Sequence, residues 1–210
     1  LKNVEIITSG QTTEITGENG KVNGLNYTDR NSGEQHHISL EGVFVQIGLV
    51  PNTEWLKDSE LNLTRFGEIE IDARGATNLN GVFAAGDVAS VLLDGEHTSV
   101  MSCQHSRPMG RYAGHNVVCA LLGLPQIPLH IDYYVTCLDL GTWGAIYTEG
   151  WDRHVVREGS EAKETKNTIN RVRIYPPRSG NRQEILDMAK PEIQVPPIRG
   201  ADTEFNSSIG

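Results

Sequence analysis

The sequence has no C-x-x-C pair and no G-x-G-x-x-G loop. The first absence removes a redox dithiol and a zinc knuckle. The second removes the glycine cradle that holds a dinucleotide pyrophosphate against a helix N-terminus. Its three cysteines, Cys103, Cys119 and Cys137, stand sixteen and eighteen residues apart and read as buried structural thiols. No apolar run approaches the roughly 20 residues that cross a bilayer, and residues 1–20 lack the apolar core of a signal peptide. Positive charge is scarce: 18 Lys and Arg against 27 Asp and Glu give a net charge of -9, which argues against a nucleic acid or anionic membrane as main partner. No acid–base pair stands out, so no catalytic residue is assigned. The adjacent His36 and His37 point to opposite faces of a strand, so no metal site is assigned there. The odd cysteine count and missing leader fit a reducing, cytoplasmic setting.

What remains, at 38% hydrophobic and 21% charged residues, is enough for a real core in one large or two small domains. The chain is organised around Thr77-Asn-Leu-Asn-Gly-Val-Phe-Ala-Ala-Gly-Asp87. Val82 to Ala85 form a short apolar run between Gly81 and Gly86, the pattern of a strand buried on both faces. Asp87 would then lie just beyond the carboxyl end of that strand, where open α/β sheets place ligands. Its carboxylate can accept from ligand hydroxyls, and Gly86 permits close backbone approach. Read alone, a Gly-Asp here is better explained as the N-cap of a following helix. About thirty-five residues earlier, Phe44-Val-Gln-Ile-Gly-Leu-Val-Pro-Asn-Thr53 repeats the buried-strand pattern, ended by Gly48 and Pro51.

Residues 1–7 read as a strand with no initiator Met before it, as in the middle of a longer protein. Thr12–Thr16, Lys21–Asp29 and Gln35–Leu40 read as an antiparallel meander, with turns at 17–20 and 31–33. After Asp87, Gln104 and His105 lead into a helix. Pro108 sits in its first turn, Met109, Ala113, Val117 and Leu121 share one face, and Gly123 is at C′. Tyr133–Leu140 and Ala145–Arg153 flank a glycine turn and read as a hairpin, with Trp143, Tyr147 and Trp151 in its core or on a dimer surface. Ser160–Arg173 is a weakly amphipathic, solvated helix, too thin in apolar surface to lie on a membrane. Asn181 and Glu184 suggest a capping box for a short helix stopped by Pro191, and a mobile tail follows.

The pair of motifs, Phe44–Thr53 followed by Thr77–Asp87, resembles the flavoproteins with two dinucleotide-binding domains, the pyridine nucleotide-disulfide oxidoreductase superfamily. Up to Asp87 the chain resembles the flavoprotein subunit of alkyl hydroperoxide reductase and thioredoxin reductase. The matching phrases are Leu1-Lys-Asn-Val4, Gln11-Thr-Thr-Glu14, Phe44–Leu49, Gly67-Glu-Ile69 and Ile71-Asp72. Beyond it, Tyr133–Arg153, Lys163–Asn170 and Ile174-Tyr-Pro-Pro177 resemble type II NADH dehydrogenase-like proteins. The two resemblances meet near Gly86-Asp87, a motif that both branches share.

The resemblance implies an α/β fold: partial FAD- and NAD(P)-binding Rossmann-like domains with an antiparallel meander and a C-terminal α+β domain. The implied divisions are 1–42 (end of the NAD(P)H domain), 43–125 (returning FAD domain), 126–192 (substrate or interface domain) and 193–210 (flexible tail). It places Gly86, Asp87, Gln104, His105, Gly48 and Pro51 at cofactors, FAD and NAD(P)H. Asp87 would bind the ribityl–pyrophosphate region, and the helix N-terminus would face the flavin pyrimidine ring. The implied activity is that of the C-terminal portion of an FAD-dependent NAD(P)H oxidoreductase with a small-molecule acceptor such as a quinone. A thioredoxin-reductase-like disulfide or peroxiredoxin reductase is the alternative, and a non-catalytic oligomerisation or binding module the other. Peripheral contact with the inner face of the membrane, a homo-oligomer and a complementing chain stay open.

Overall fold

A computed structural model describes residues 4–45 and 48–197. The chain divides into two compact units, Leu1–Gly48 and Leu49–Gly210.

The first unit is the expected meander. Strands β1 (Gly10–Glu18), β2 (Lys21–Asp29) and β3 (Gln35–Ser39) pair antiparallel in that order. Asn19 and Gly20 both take positive φ, the geometry of the two-residue turn whose twist matches a hairpin. The turn starts the β1–β2 pairing, a bulge at Thr16–Gly17 shifts its register by one residue, and Ile15 then stands opposite Leu25 and Leu25 opposite Ile38, an apolar row across all three strands. His36 stacks on Tyr27 while His37 bonds Asn26 Oδ1 at 2.7 Å, so the two rings do face opposite ways. Val4–Ile7, expected in a strand, has no strand partner among the described residues and is exposed. Residues 1–3 of that stretch lie outside the described residues.

In the second unit, strands β4 (Ile69–Glu70) and β5 (Ala89–Ser90) form a two-residue parallel pair. They lead to α1 (Cys103–Leu122), which packs Met109 against Ala89, Val91, Leu93, Leu129 and Ile131. Next come β6 (Val135–Asp139), β7 (Ala145–Glu149) and β8 (His154–Glu158), an antiparallel sheet covered by α2 (Gly159–Thr168). A π-helical turn, Ile169–Arg173, continues α2, and α3 (Arg182–Met188) follows. The fold is thus mixed α/β with an antiparallel meander and a C-terminal α+β portion, as expected from the sequence.

Among the described residues neither of the two expected buried strands forms. Val82–Ala85 makes only an isolated antiparallel bridge, Phe83 with Ala76, closed by Thr77 N–H to Val82 O (3.0 Å) and Ala84 N–H to Gly75 O (3.0 Å). In 44–49, Phe44, Val45 and Leu49 are exposed, and residues 46–47 lie outside the described residues. A strand buried on both faces needs a neighbour on each side. No strand among the described residues pairs with either run.

α1 begins five residues before Pro108, which therefore lies inside the helix. Pro108 has no N–H to donate to the Gln104 carbonyl. Its C-terminus is as read: Leu124 N–H bonds Cys119 O (2.8 Å) and Gly123 N–H bonds Ala120 O, with Gly123 left-handed. The buried stripe is His105, Met109, Ala113, Asn116 and Cys119, while Leu121 is exposed, so the expected face holds only in its first half.

β8 adds a third strand to the expected hairpin. The second hairpin strand stops at Glu149, and Gly150 to Arg153 turn the chain back. Tyr147 is fully buried, Trp151 stacks between His97 and Tyr134, and Trp143 is exposed. Asn181 Oδ1 accepts from the Gln183 and Glu184 amides, but Glu184 turns to Ser179 Oγ rather than closing the box. The start of the expected mobile tail is tied down: Tyr133 Oη donates to Gln194 O at 2.7 Å, and Pro196 is buried. Residues 198–210 lie outside the described residues.

Candidate functional site

Of the residues singled out by sequence, Gln104 and His105 lie in the first turn of α1 and Asp87 is bonded to that turn, with Gly86 beside it, whereas Gly48 and Pro51 lie elsewhere. Gly86 takes φ 85, and its carbonyl accepts from Ala89 N–H (3.0 Å), so Gly86–Ala89 is a turn that leads into β5. Asp87 therefore precedes a strand instead of following one, and it caps no adjacent helix. Across the turn lies α1, whose Ser106 Oγ donates to Asp87 Oδ1. The exposed carboxylate is held by this bond, and Oδ2 has no partner in the described residues. A Cβ at Gly86 would meet no atom within 4 Å, so the backbone face there is open.

Gln104 and His105, the next residues of α1, are committed inward. The Gln104 amide pairs with the backbone of Val135, donating to its carbonyl at 2.9 Å and accepting from its N–H at 3.2 Å. It thereby ties the start of β6 to α1. His105 is fully buried, and its Nδ1 accepts from Val100 N–H at 2.9 Å. That bond puts the ring proton on Nε2, which is buried with no hydrogen-bond partner among the described residues. The ring lies tilted against Tyr134 and Trp151. Burial pushes its pKa down to about 4, so the imidazole is neutral at pH 7. The His105 ring faces no open site, and the Gln104 amide is spent on Val135, so contact of these two with a cofactor on the Asp87 side falls to backbone N–H groups. Ser102, the N-cap, makes no side-chain bond to those first-turn groups.

Gly48, with φ 107, closes the first unit and has open space where a Cβ would stand. Pro51 is the third residue of the second unit and stands beside Gly67. Ser106 was missed by sequence reasoning, because a serine in a helical pattern carries no signal until the fold sets Asp87 beside it. Among the described residues no group of three His, Cys, Asp or Glu could hold a metal, and no helix is long and apolar enough to cross a membrane.

The family model for pyridine nucleotide-disulphide oxidoreductases matches residues 1–110. The chain belongs to this family. Members of this flavoprotein family bind FAD and use NAD(P)H. An NADH dehydrogenase-like protein of Mycobacterium tuberculosis is 52% identical over 134 residues, 63% of this chain and 34% of that one. The alkyl hydroperoxide reductase F subunit of Pseudomonas aeruginosa is 62% identical over 91 residues, 43% of this chain and 17% of that one. Among solved structures, T. acidophilum thioredoxin reductase aligns at 38% identity and a TM-score of 0.39, covering 57% of this chain and 35% of that one. This family member therefore spans about a third or less of the length of the relatives it matches.

Proposed function

We propose that this chain forms the C-terminal portion of an FAD-dependent NAD(P)H oxidoreductase whose acceptor is of the quinone type. The observation that carries the reading is the juxtaposition of Asp87 with the first turn of α1. An anchored carboxylate with one free oxygen suits the hydroxyls of a ribityl chain, and the open backbone at Gly86 lets the ligand approach. The uncapped start of α1 carries partial positive charge, which would stabilise negative charge on a reduced flavin. A bound flavin would supply two-electron, hydride-transfer chemistry there. The residues of this chain hold and polarise it.

A disulfide substrate is the second reading, favoured by the identity with the alkyl hydroperoxide reductase of Pseudomonas aeruginosa. The thiols of this chain do not support it. All three are free, Cys103 exposed, Cys119 buried and Cys137 half-buried and raised in pKa by that burial. The test is visible absorbance of the purified chain after FAD addition and removal of excess, alongside titration of FAD fluorescence. We expect little flavin to be retained. Weak saturable binding should fall several-fold in Asp87→Ala and less in Ser106→Ala, which keeps the carboxylate. Equal binding by the parent chain and Asp87→Ala would refute the assignment of Asp87. No binding at all would favour a non-catalytic module.

A further inference from the structure

On the side of α1 away from its buried stripe, Arg107 and Arg111 stand one turn apart. Arg173, from the end of the π-helical turn, joins them around a cavity of about 90 Å³. A single water needs only ~10–15 Å³ by such a measure, so the space suits a small organic group. The rest of the wall is largely apolar, including Pro108, Val135, Ile169 and Ile174, with the Tyr133 hydroxyl at one side.

Each arginine is fastened by a neutral acceptor on one strip of chain. Arg107 Nη1 donates to Gln194 Oε1 (3.1 Å), Arg111 Nη1 to Glu192 O (3.2 Å) and Arg173 Nη2 to Val195 O. None of the three has a carboxylate within ion-pair distance among the described residues. A guanidinium offers five N–H donors in a planar fork, so most of this donor capacity is unspent. Like charges gathered at a partly desolvated wall cost free energy. Burial first, and then Arg111 and Arg173, accordingly lower the pKa of Arg107. This happens on a chain of net charge -9, where carboxylates are plentiful elsewhere.

We infer that this cleft is a binding site for a small organic anion, a flat apolar body bearing a carboxylate or a similar oxyanion. The head group would take bidentate bonds from the arginines while the body lies on the apolar wall. The site uses none of Gly86, Asp87 or Ser106, so it stands or falls apart from the flavin reading.

The test is calorimetric titration of the whole chain with benzoate and with 2-naphthoate. Neutral benzamide and inorganic phosphate serve as comparators, and the arginine Nε resonances are followed by NMR. We expect the aromatic carboxylates to bind, with shifts at Arg107, Arg111 and Arg173 and a tenfold or greater loss of affinity in Arg107→Gln and in Arg173→Gln. Arg157→Gln, remote from the cleft, should leave binding unchanged, and far-ultraviolet circular dichroism should show each variant folded. Binding of phosphate alone, equal binding of benzamide and benzoate, or affinity indifferent to the arginines would each overturn the inference.

Discussion

Replacing Asn116 by alanine should destabilise the second unit more than any other single truncation on α1. Asn116 is fully buried, and its amide makes three bonds to two separate loops. Nδ2 donates to Arg74 O (2.9 Å) and Ile127 O (2.8 Å), and Oδ1 accepts from Ile127 N–H (2.8 Å). Each bond is worth about 1 kcal/mol net, and a backbone group left unpaired out of reach of water costs about 1–3 kcal/mol. A total near 3–5 kcal/mol follows, at the high end of what single substitutions do. With a urea dependence of about 2 kcal/mol/M, the midpoint should fall by about 1.5–2.5 M. Trp55, Trp143 and Trp151 all belong to the second unit, so tryptophan fluorescence reports its unfolding alone. Asn116→Asp should cost at least as much, since a carboxylate would face two carbonyl oxygens. Leu121→Gln, at an exposed position, should stay within about 0.5 kcal/mol of the parent. An Asn116→Ala cost below about 1 kcal/mol would show that the three bonds are not formed in solution.

His105 makes stability pH-dependent in a defined window. Its folded pKa, about 4, lies below the ordinary 6.5, so its contribution is complete above pH 6.5 and is lost as pH falls towards 4. The difference in proton binding amounts to about 3 kcal/mol across that window. Urea midpoints of the parent and His105→Gln, compared between pH 7 and 4.5, should converge on acidification; parallel curves would refute the buried neutral ring. Gly144→Ala should disrupt the β6–β8 sheet. With φ 112, the new Cβ would fall 2.4 Å from the backbone of Gly159, which is bridged to Ala145. Gly141→Ala, with φ 66 and open space, should cost only about 1 kcal/mol. Thermal unfolding decides, and equal losses at the two positions would rule out the clash.

Local chemistry made some elements readable and tertiary neighbours hid the others. Asn19-Gly20 declares a hairpin by itself, Gly123 declares a helix end, and Asn181 caps α3, because each acts within a few residues. The runs at 44–49 and 82–85 are apolar enough for buried strands, but an apolar run forms a strand only where a ladder partner exists. Phe83 finds one bridge, and Phe44 finds none among the described residues. Pro108 suggests a helix start, yet α1 tolerates it because packing of His105 and Met109 on either side holds the turn. β8 was legible in principle: Val155-Val156 after the turn at Gly150–Arg153 carries the β-branched signal. The arginine cleft was half legible. Arg107 and Arg111 share the i, i+4 spacing of one helix face, but only the π-helical turn brings Arg173 to them.

The start of α1 explains why a motif with few side chains free for ligand can still organise a site. Successive helical residues point about 100° apart. Gln104 thus reaches the backbone of β6, His105 turns into the aromatic core, Ser106 meets Asp87, and Arg107 faces the cleft below Gln194. Gln104 and His105 fix the rotation of the helix about its own axis, and that rotation is what aims Ser106 at Asp87. A substitution at His105 would therefore be felt at Asp87 through the angle of α1, although no atom of the ring bonds that carboxylate. Asn116, three turns on, fixes the same helix at its other end through Arg74 and Ile127. Loss of either anchor should loosen Asp87 without touching it, which separates positioning from contact. Ser106→Ala removes one bond at the site, whereas Asn116→Ala leaves that bond intact and frees the scaffold beneath it.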